Sequence, residues 1–462
     1  MSVHLPTAEM VELTKKTKII DDLLGGTATM RKAAQTYLFQ MEMEEPDSYR
    51  KRLERSTLYP ALSETLSQMT GRVFFNPIDV ADVTETVQAL FDDVDLVGNN
   101  LDVFASRWFY SALAYGCSFA LIDFTRVEAV KSRAEEKALN ARPYWVHIKP
   151  HQVLGMKTAR VNGKQAITQF RYVVNEQVED GEFGVKTVKH VYVYEIGKVR
   201  KFSEAEGKFR FESELQLTAQ NRPLDFVPVV PFITKRNELT HAIEPPLMEL
   251  AYLNVKHWQS QSDQDNITNI ARVPLLAIYS NDEVKQLAIG GSAVHLPTGS
   301  SMQFVEHSGQ AIASGVESLK DLEEQMKTAG AKLLTKTALA MTDSQARDEA
   351  GKEISQLRLL ANRFEDAIDL ALEYTGHWLG IAKEQVGNVQ ISGNIENDLD
   401  PAASMASVIQ LRNAGVISNQ STFDEAKRRG LLADGLEWDT EQERLQSEGM
   451  HFDLEETSEK NA

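Results

Sequence analysis

Cysteine is nearly absent: Cys117 is the single one in 462 residues. That excludes an intramolecular disulfide framework and a cysteine-rich zinc site, and it fits a reducing compartment. Positive charge is the second shortage, with 49 Lys and Arg against 67 Asp and Glu and a formal net charge of −18. A surface that wraps duplex DNA works by neutralising phosphates and releasing counterions, so this balance leaves room only for local or weak contact with nucleic acid. Long apolar runs are missing too. The longest candidate, Phe109 to Ile122, is interrupted by Ser111, Gly116 and Ser118 and falls short of the roughly 20 residues that cross a bilayer, so it reads as a buried core helix. No apolar stretch precedes a small-residue cleavage site in Met1 to Thr17, so no secretory signal and no membrane association are expected.

Catalytic signatures are absent as well. There is no Walker A motif, no G-x-G-x-x-G after a strand, no H-E-x-x-H, no G-x-S-x-G and no EF-hand loop. His147 and His151 have the spacing of a helical metal pair, but Pro150 lies between them in an extended segment and breaks that geometry. The acidic groups Asp92-Asp93-Asp95 and Asp263-Asp265 lack the convergent partners that magnesium or acid–base chemistry needs and read as solvated faces. Cys117, in an apolar run without a neighbouring cation, reads as a small core residue. No catalytic residue, metal site or cofactor is expected.

What is present is a chain 42% hydrophobic, about three domains' worth at roughly 100 to 200 residues each. Apolar positions recur at three- and four-residue spacing in Met30–Glu44, Pro46–Met69, Asp82–Asp92 and Asn100–Tyr115, predicting helices. The basic stretch Asp47 to Arg55 reads as the exposed face of the second. From Tyr144 to Pro231 the texture turns to Val, Tyr, Phe and Thr with Gly-containing turns at Asp180-Gly181, Ile196-Gly197 and Glu206-Gly207. This predicts one small antiparallel β unit, with strands at Ala166–Asn175, Lys186–Ile196 and Lys208–Leu215, closed by Val227 to Pro231. Glu244-Pro245-Pro246 then opens a helix with acid and proline in its first turn. Its apolar face of Leu247, Ala251, Val255 and Trp258 gives way to Gln259-Ser260-Gln261-Ser262-Asp263-Gln264-Asp265-Asn266. A helix polar all round needs neighbours.

A compact β-like section follows from Arg272 to His307, then a helix from about Gly315 to Lys336, a short break at Thr337 to Ser344, and a very long helix from about Ser344 to Val386. A rod of that length would reach about 60 Å, far beyond the usual globular helix. Pro401 to Arg429 reads as helical. The last stretch, Glu437 to Ala462, sets nine carboxylates against Arg444 and Lys460 and has the composition of a weakly ordered or disordered tail. Between Gln325 and Arg363 the sign reverses locally, with seven basic residues (Lys327, Lys332, Lys336, Arg347, Lys352, Arg358, Arg363) against four acidic ones. These cations bracket the break and read either as ordinary exposed lysines and arginines or as a loop that meets phosphates.

This order of elements resembles the portal proteins of tailed bacteriophages. Local sequence is similar to one portal family at Tyr49-Arg50-Lys51-Arg52-Leu53, Gly71-Arg72-Val73-Phe74-Phe75-Asn76-Pro77, Tyr115-Gly116 through Leu121-Ile122-Asp123, Pro245-Pro246-Leu247 through Trp258-Gln259-Ser260, Val273-Pro274-Leu275 and Gly376-His377-Trp378-Leu379-Gly380. The motifs are short, and their colinear order carries the likeness. The resemblance implies an α+β, predominantly helical portal fold: a wing at 1–243 holding a helical part (1–125) and the β unit (144–232), a descending stem helix at 244–272, a compact α/β clip at 273–312, an ascending stem helix at 313–336, a tunnel loop at 337–345, a long wing helix at 346–398, a crown at 399–436 and the acidic tail at 437–462.

It further implies a homo-oligomeric ring, commonly of twelve subunits, at one capsid vertex of a virion made in the host cytoplasm. Double-stranded DNA is packaged through such a ring by the large terminase subunit and later ejected, and the ring's partners are the major capsid protein and a head-tail adaptor. On that reading Lys336, Thr337, Thr342, Ser344, Gln345 and Arg347 face DNA in the tunnel loop, and Trp258, Gln261, Asp265, Leu322 and Met326 contact neighbouring stems. The alternatives are another phage adaptor or scaffold-type assembly protein, or a magnesium-dependent DNA-processing enzyme built on Asp263, Asp265 or the Asp92 group.

Overall fold

The computed structural model describes residues 2–125, 141–161, 163–272, 275–279, 301–305, 310–331, 333, 336–337, 354–393, 401–428, 431–433 and 435–447. In chain order the helices are α1 (Ala8–Leu24), α2 (Gly26–Ala33), α3 (Pro46–Arg55), α4 (Ala61–Val73), α5 (Glu85–Gln88), α6 (Leu101–Tyr115), α7 (Met248–Ala271), α8 (Gln310–Ala331), α9 (Gln356–Leu379), α10 (Pro401–Asn413), α11 (Asn419–Arg428) and α12 (Trp438–Ser447). The strands are β1 (Asp79–Val83), β2 (Cys117–Phe124), β3 (Pro143–Ile148), β4 (Val153–Val161), β5 (Lys164–Asp180), β6 (Gly184–Glu195), β7 (Lys198–Ala205), β8 (Lys208–Gln216), β9 (Thr218–Ala219), β10 (Arg222–Pro223), β11 (Val229–Ile233), β12 (Leu275–Tyr279), β13 (Ser301–Val305), β14 (Lys336–Thr337), β15 (Ile354–Ser355) and β16 (Val386–Gln390). The class is α+β, and every strand pairing among the described residues is antiparallel.

Asn100 starts α6 by accepting the Val103 amide at 2.9 Å, and Gly116 stops it in the left-handed region at φ 86°. A Cβ on Gly116 would lie 2.8 Å from the Glu244 carbonyl carbon, so only glycine fits this turn. The expectation of one core helix over Phe109–Ile122 is corrected here. Its first half belongs to α6, and from Cys117 the chain becomes β2, buried along nearly its whole length. A short, continuous apolar run suits a buried strand as well as a buried helix, and the glycine decides between them.

Strand β2 lies between β11 and β3 in a three-stranded sheet. The β unit expected over Tyr144–Pro231 is therefore three structures: the flanking strands of this sheet, a five-stranded meander β4-β5-β6-β7-β8, and the short β9-β10 pair. The hairpin glycines Gly181, Gly197 and Gly207 all adopt positive φ, as tight turns between such strands require. Tyr194 ties the meander to the smaller sheet by donating to Asp123 at 2.8 Å.

Helix α9 lies across that sheet. Its buried stripe includes Leu357, Leu360, Phe364, Ile368, Ala371, Leu372 and Trp378, spaced at three and four residues. Phe364 sits in an aromatic cluster with Trp108 (4.9 Å between ring centres), Phe232 (4.8 Å) and Phe109 (5.2 Å). Two indoles lock the register: Trp145 donates to Thr375 Oγ1 at 2.9 Å and Trp378 to the Ile122 carbonyl at 3.0 Å. The helix is shorter than the Ser344–Val386 rod expected from periodicity. Ser355 caps its start by accepting the Arg358 amide, and Gly380 ends it with φ 72°. Past that end, β16 pairs with β1 and is held to α9 by Asp369 and Glu365, which accept the Val389 and Ile391 amides.

The remaining helical expectations are redrawn by similar punctuation. Pro46–Met69 is broken at 56–60 into α3 and α4, with Pro60 at the start of the second helix. Met30–Glu44 is helical only to Ala33, followed by a 3-10 turn at Ala34–Thr36. Asp82–Asp92 holds the end of β1 and the short α5. Pro401–Arg429 divides into α10 and α11, and the acidic stretch expected to be weakly ordered carries α12 at Trp438–Ser447, against which Phe423 packs through Trp438. Among the described residues no helix is long and apolar enough to cross a membrane.

Candidate functional site

The candidate site is the arm formed by α7 and α8. Pro245 and Pro246 set the entry, and Leu250, Ala251, Val255 and Trp258 bury one stripe of α7. Helix α8 answers with Leu319, Leu322, Met326 and Ala329. The two run antiparallel: Gln264 donates to the Ile312 carbonyl at 2.9 Å near one end, and His257 lies 3.8 Å from the Glu323 carboxylate further along. Gly315 permits the close approach, since a Cβ there would fall 1.9 Å from Gln264 Oε1. Beyond the arm, β12 pairs with β13 from Leu275 opposite Val305 to Tyr279 opposite Ser301, giving it a strand-paired tip. The expected turn at Gly290-Gly291 and the strand from Val294 to Pro297 lie outside the described residues.

At its base the arm is anchored by buried polar groups. Asn254, almost fully buried, accepts the Leu62 amide at 3.1 Å and donates to the Tyr59 carbonyl at 2.8 Å, so one side chain from α7 satisfies the break between α3 and α4. Arg52 is only 5% exposed. It grips Glu44 with two hydrogen bonds of 2.8 and 2.7 Å, donates to the Phe39 carbonyl at 2.7 Å and reaches Asp263 at 3.3 Å. Tyr49, one helical turn earlier, donates to the Leu38 carbonyl at 2.9 Å. The Arg52 guanidinium holds the Glu44 carboxyl below the usual glutamate range, while burial pushes Asp263 above the usual aspartate range.

The reading of Asp47 to Arg55 as an exposed face is corrected at Tyr49 and Arg52. Arg50 and Lys51 remain outside, paired to Asp47. The polar half of α7 is likewise supplied with partners inside the chain: Gln259 donates to the Tyr37 carbonyl, Asp263 meets Arg52, and Gln264 meets Ile312. Gln261 and Asp265, half-exposed, bond to each other at 2.8 Å.

Of the stem positions singled out from the sequence, Trp258, Leu322 and Met326 are buried within the chain's own core, while Gln261 and Asp265 remain partly open. A side chain with no surface left in the protomer has none to offer a neighbour. Of the loop positions, Lys336 and Thr337 form β14, paired with Ser355 and Ile354 of β15. Thr342, Ser344, Gln345 and Arg347 lie outside the described residues. Among the described residues three of the seven local cations have partners: Lys327 pairs with Glu324 at 2.6 Å, Arg358 donates to the Ile391 and Gly393 carbonyls, and Arg363 to those of Thr234 and Ile233.

The other candidates resolve into architecture. Asp93 accepts the Gly98 amide and pairs with Arg142 at 2.8 Å, and Asp95 accepts the Val97 and Asn99 amides, so the acidic cluster builds a loop. His147 bonds Ser118 at 2.8 Å, and its pKa is lowered to about 4, chiefly by burial. Burial pushes the Cys117 thiol up to about 12, which leaves it a core residue. Among the described residues no group of three or more His, Cys, Asp or Glu side chains is placed to hold a metal ion. Sequence reasoning missed Arg52 and Asn254. The Tyr49-to-Leu53 motif contained the first, and nothing local marked the second.

Residues 246–379 match a family described as a domain of unknown function, DUF4055. The segment takes in the arm, its tip, the 338–353 connection and all of α9. No curated protein matches the chain. Among solved structures it is similar to a chain in the neck of an empty gene transfer agent particle computed with C6 symmetry, at 12% identity and TM-score 0.42 over 81% of this chain and 90% of that one. It is also similar to a chain of the native gene transfer agent virion, at 11% identity and TM-score 0.42 over 87% and 98%. A third is a chain of the native particle's neck computed with C12 symmetry, at 11% and 0.42 over 94% and 95%. At this identity and TM-score no residue role is carried over from those chains. The resemblance read from the sequence, to the portal proteins of tailed bacteriophages, stands beside them.

Proposed function

We propose that this chain is the subunit of a phage portal ring at one capsid vertex, a structural component of the virion and a platform for head-tail connection. Double-stranded DNA passes through the ring, driven inward by a terminase and released later through an attached adaptor. The observation that carries the reading is the arm: two antiparallel helices from one core, with a strand-paired tip at the far end, returning to a ladder that opens the 338–353 connection just ahead of a long core helix. On this reading 1–243 is the wing, α7 and α8 are the stem, 273–312 is the clip that docks the terminase and then the adaptor, 337–345 is the tunnel loop, 346–398 is the wing helix and 399–436 is the crown.

With Trp258, Leu322 and Met326 filling the arm's own interior, contact with the adjacent copy passes to Gln261, Asp265 and the exposed faces beside them. A ring uses a heterologous contact that closes on itself. Tyr252, 52% exposed on α7, and Val316, 42% exposed on α8, are further apolar side chains that the arm leaves open. Lys336 and Arg347 are the cations proposed to meet DNA, and no catalytic residue is assigned.

Electron microscopy of the purified chain tests the assembly. Subunits of 51.7 kDa closing in a ring of twelve give annular particles of about 600 kDa with a central channel. A strictly monomeric chain at high concentration overturns the proposal. Lys336→Ala with Arg347→Ala should impair DNA packaging or retention while rings still form, and unchanged packaging removes both residues from the DNA-facing set.

A further inference from the structure

A groove of about 570 Å³ opens where α4, α6, the end of α1 and the turn after β3 meet. Its size suits a small ligand or a few side chains of a partner. Leu24, Tyr110 and Tyr115 give it apolar walls, and Arg107, Lys149 and His151 stand around it. Arg107 and Lys149 are exposed and have no carboxylate within salt-bridge reach among the described residues. Thr70 and Ser111 also line it, both more than nine-tenths buried, and their hydroxyls have no hydrogen-bond partner among the described residues. Two cations without a carboxylate partner beside apolar walls suit an acidic occupant that also carries an apolar group.

We propose that this groove binds a short polypeptide segment of a partner in which a carboxylate sits beside an apolar side chain. The apolar group lies against Leu24 and Tyr110, and the carboxylate sits between Arg107 and Lys149. Charge complementarity selects an acidic occupant, and the walls select a peptide over a nucleic acid backbone. A duplex tract needs a row of cations, whereas this groove has two and carries Asp21 at its edge, bonded to the Tyr115 hydroxyl at 2.8 Å.

The test uses the full-length chain and a fluorescent peptide of alternating glutamate, leucine and phenylalanine, read by anisotropy. Saturable binding is expected, weakened at least about ten-fold by Arg107→Glu with Lys149→Glu and by replacing the peptide's glutamates with glutamine. No saturable peptide binding overturns the proposal. So does binding indifferent to the charge reversal, or a double-stranded oligonucleotide that binds more tightly with the same dependence on Arg107 and Lys149.

Discussion

Replacing Arg52 by Ala should release the 38–56 segment from the base of the arm. The guanidinium satisfies Glu44, whose side chain is only 9% exposed, through two short hydrogen bonds, and it also holds the Phe39 carbonyl. Truncation leaves a buried carboxylate and a carbonyl without their donor, a loss of about 3 to 5 kcal/mol for a broken buried pair. The Asp263 contact adds little, since that carboxylate is 43% exposed and an exposed pair contributes less than about 1 kcal/mol. A loss confined to one region is best read locally, by native-state hydrogen exchange of amides in 38–56 and 259–268. A loss of about 3 kcal/mol appears as roughly a hundred-fold drop in protection there, with the five-stranded meander unaffected.

Glu44→Met added to Arg52→Ala should restore most of that protection, because the uncompensated charge causes most of the damage. Protection unchanged within about three-fold in the single variant, or a double variant no better than the single, would falsify this account. The pH dependence has a fixed sign. Glu44, whose folded pKa is lowered, contributes its full share above the unfolded glutamate value of about 4.3, and that share is lost as pH falls through the lower folded value. Asp263, raised by burial, acts the other way and costs stability as pH rises through its folded value.

Gly116→Val should cost more than the roughly 1 to 2 kcal/mol of a left-handed β-carbon, because the side chain also meets the Glu244 backbone; a soluble variant with an unchanged melting temperature would refute this. Phe364→Ala empties the centre of the aromatic cluster and should lower stability by about 3 to 5 kcal/mol, measured as a fall in the calorimetric midpoint; a shift under one degree would contradict the packing described. Asp263→Asn with Asp265→Asn should leave no divalent-dependent nuclease activity to lose, and such an activity present in the parent and abolished in the variant would favour an enzyme over a conduit.

Legibility followed the range of the interactions. Asn100 and Gly116 mark the ends of α6 within one turn of the residues they cap, and the hairpin glycines set the meander, so these could be read locally. The rod from Ser344 to Val386 was overdrawn because apolar periodicity says nothing of where a helix stops. Ser355 and Gly380 do, through a cap and a left-handed residue. The Phe109–Ile122 run is apolar at both periods, and its second half is a strand through pairing with β3 and β11, which lie far along the chain. Arg52 looked like one more exposed cation because its partners Glu44 and Phe39 lie on the segment before α3, 8 and 13 positions back, and Asp263 lies 211 positions away. The pairing of Asn254 with Tyr59 and Leu62 was invisible for the same reason. The arm's outline was thus legible, and its anchoring was not.

Ser355 holds two posts at once, as a rung of the ladder opposite Lys336 and as the cap of α9. A ladder this short rests on few bonds of about 1 kcal/mol each, and the cap is worth about as much. Force applied to the 338–353 connection is therefore delivered to the first turn of the helix on which the aromatic core is built. The connection and the core thus meet at one residue, and a substitution of Ser355 touches both.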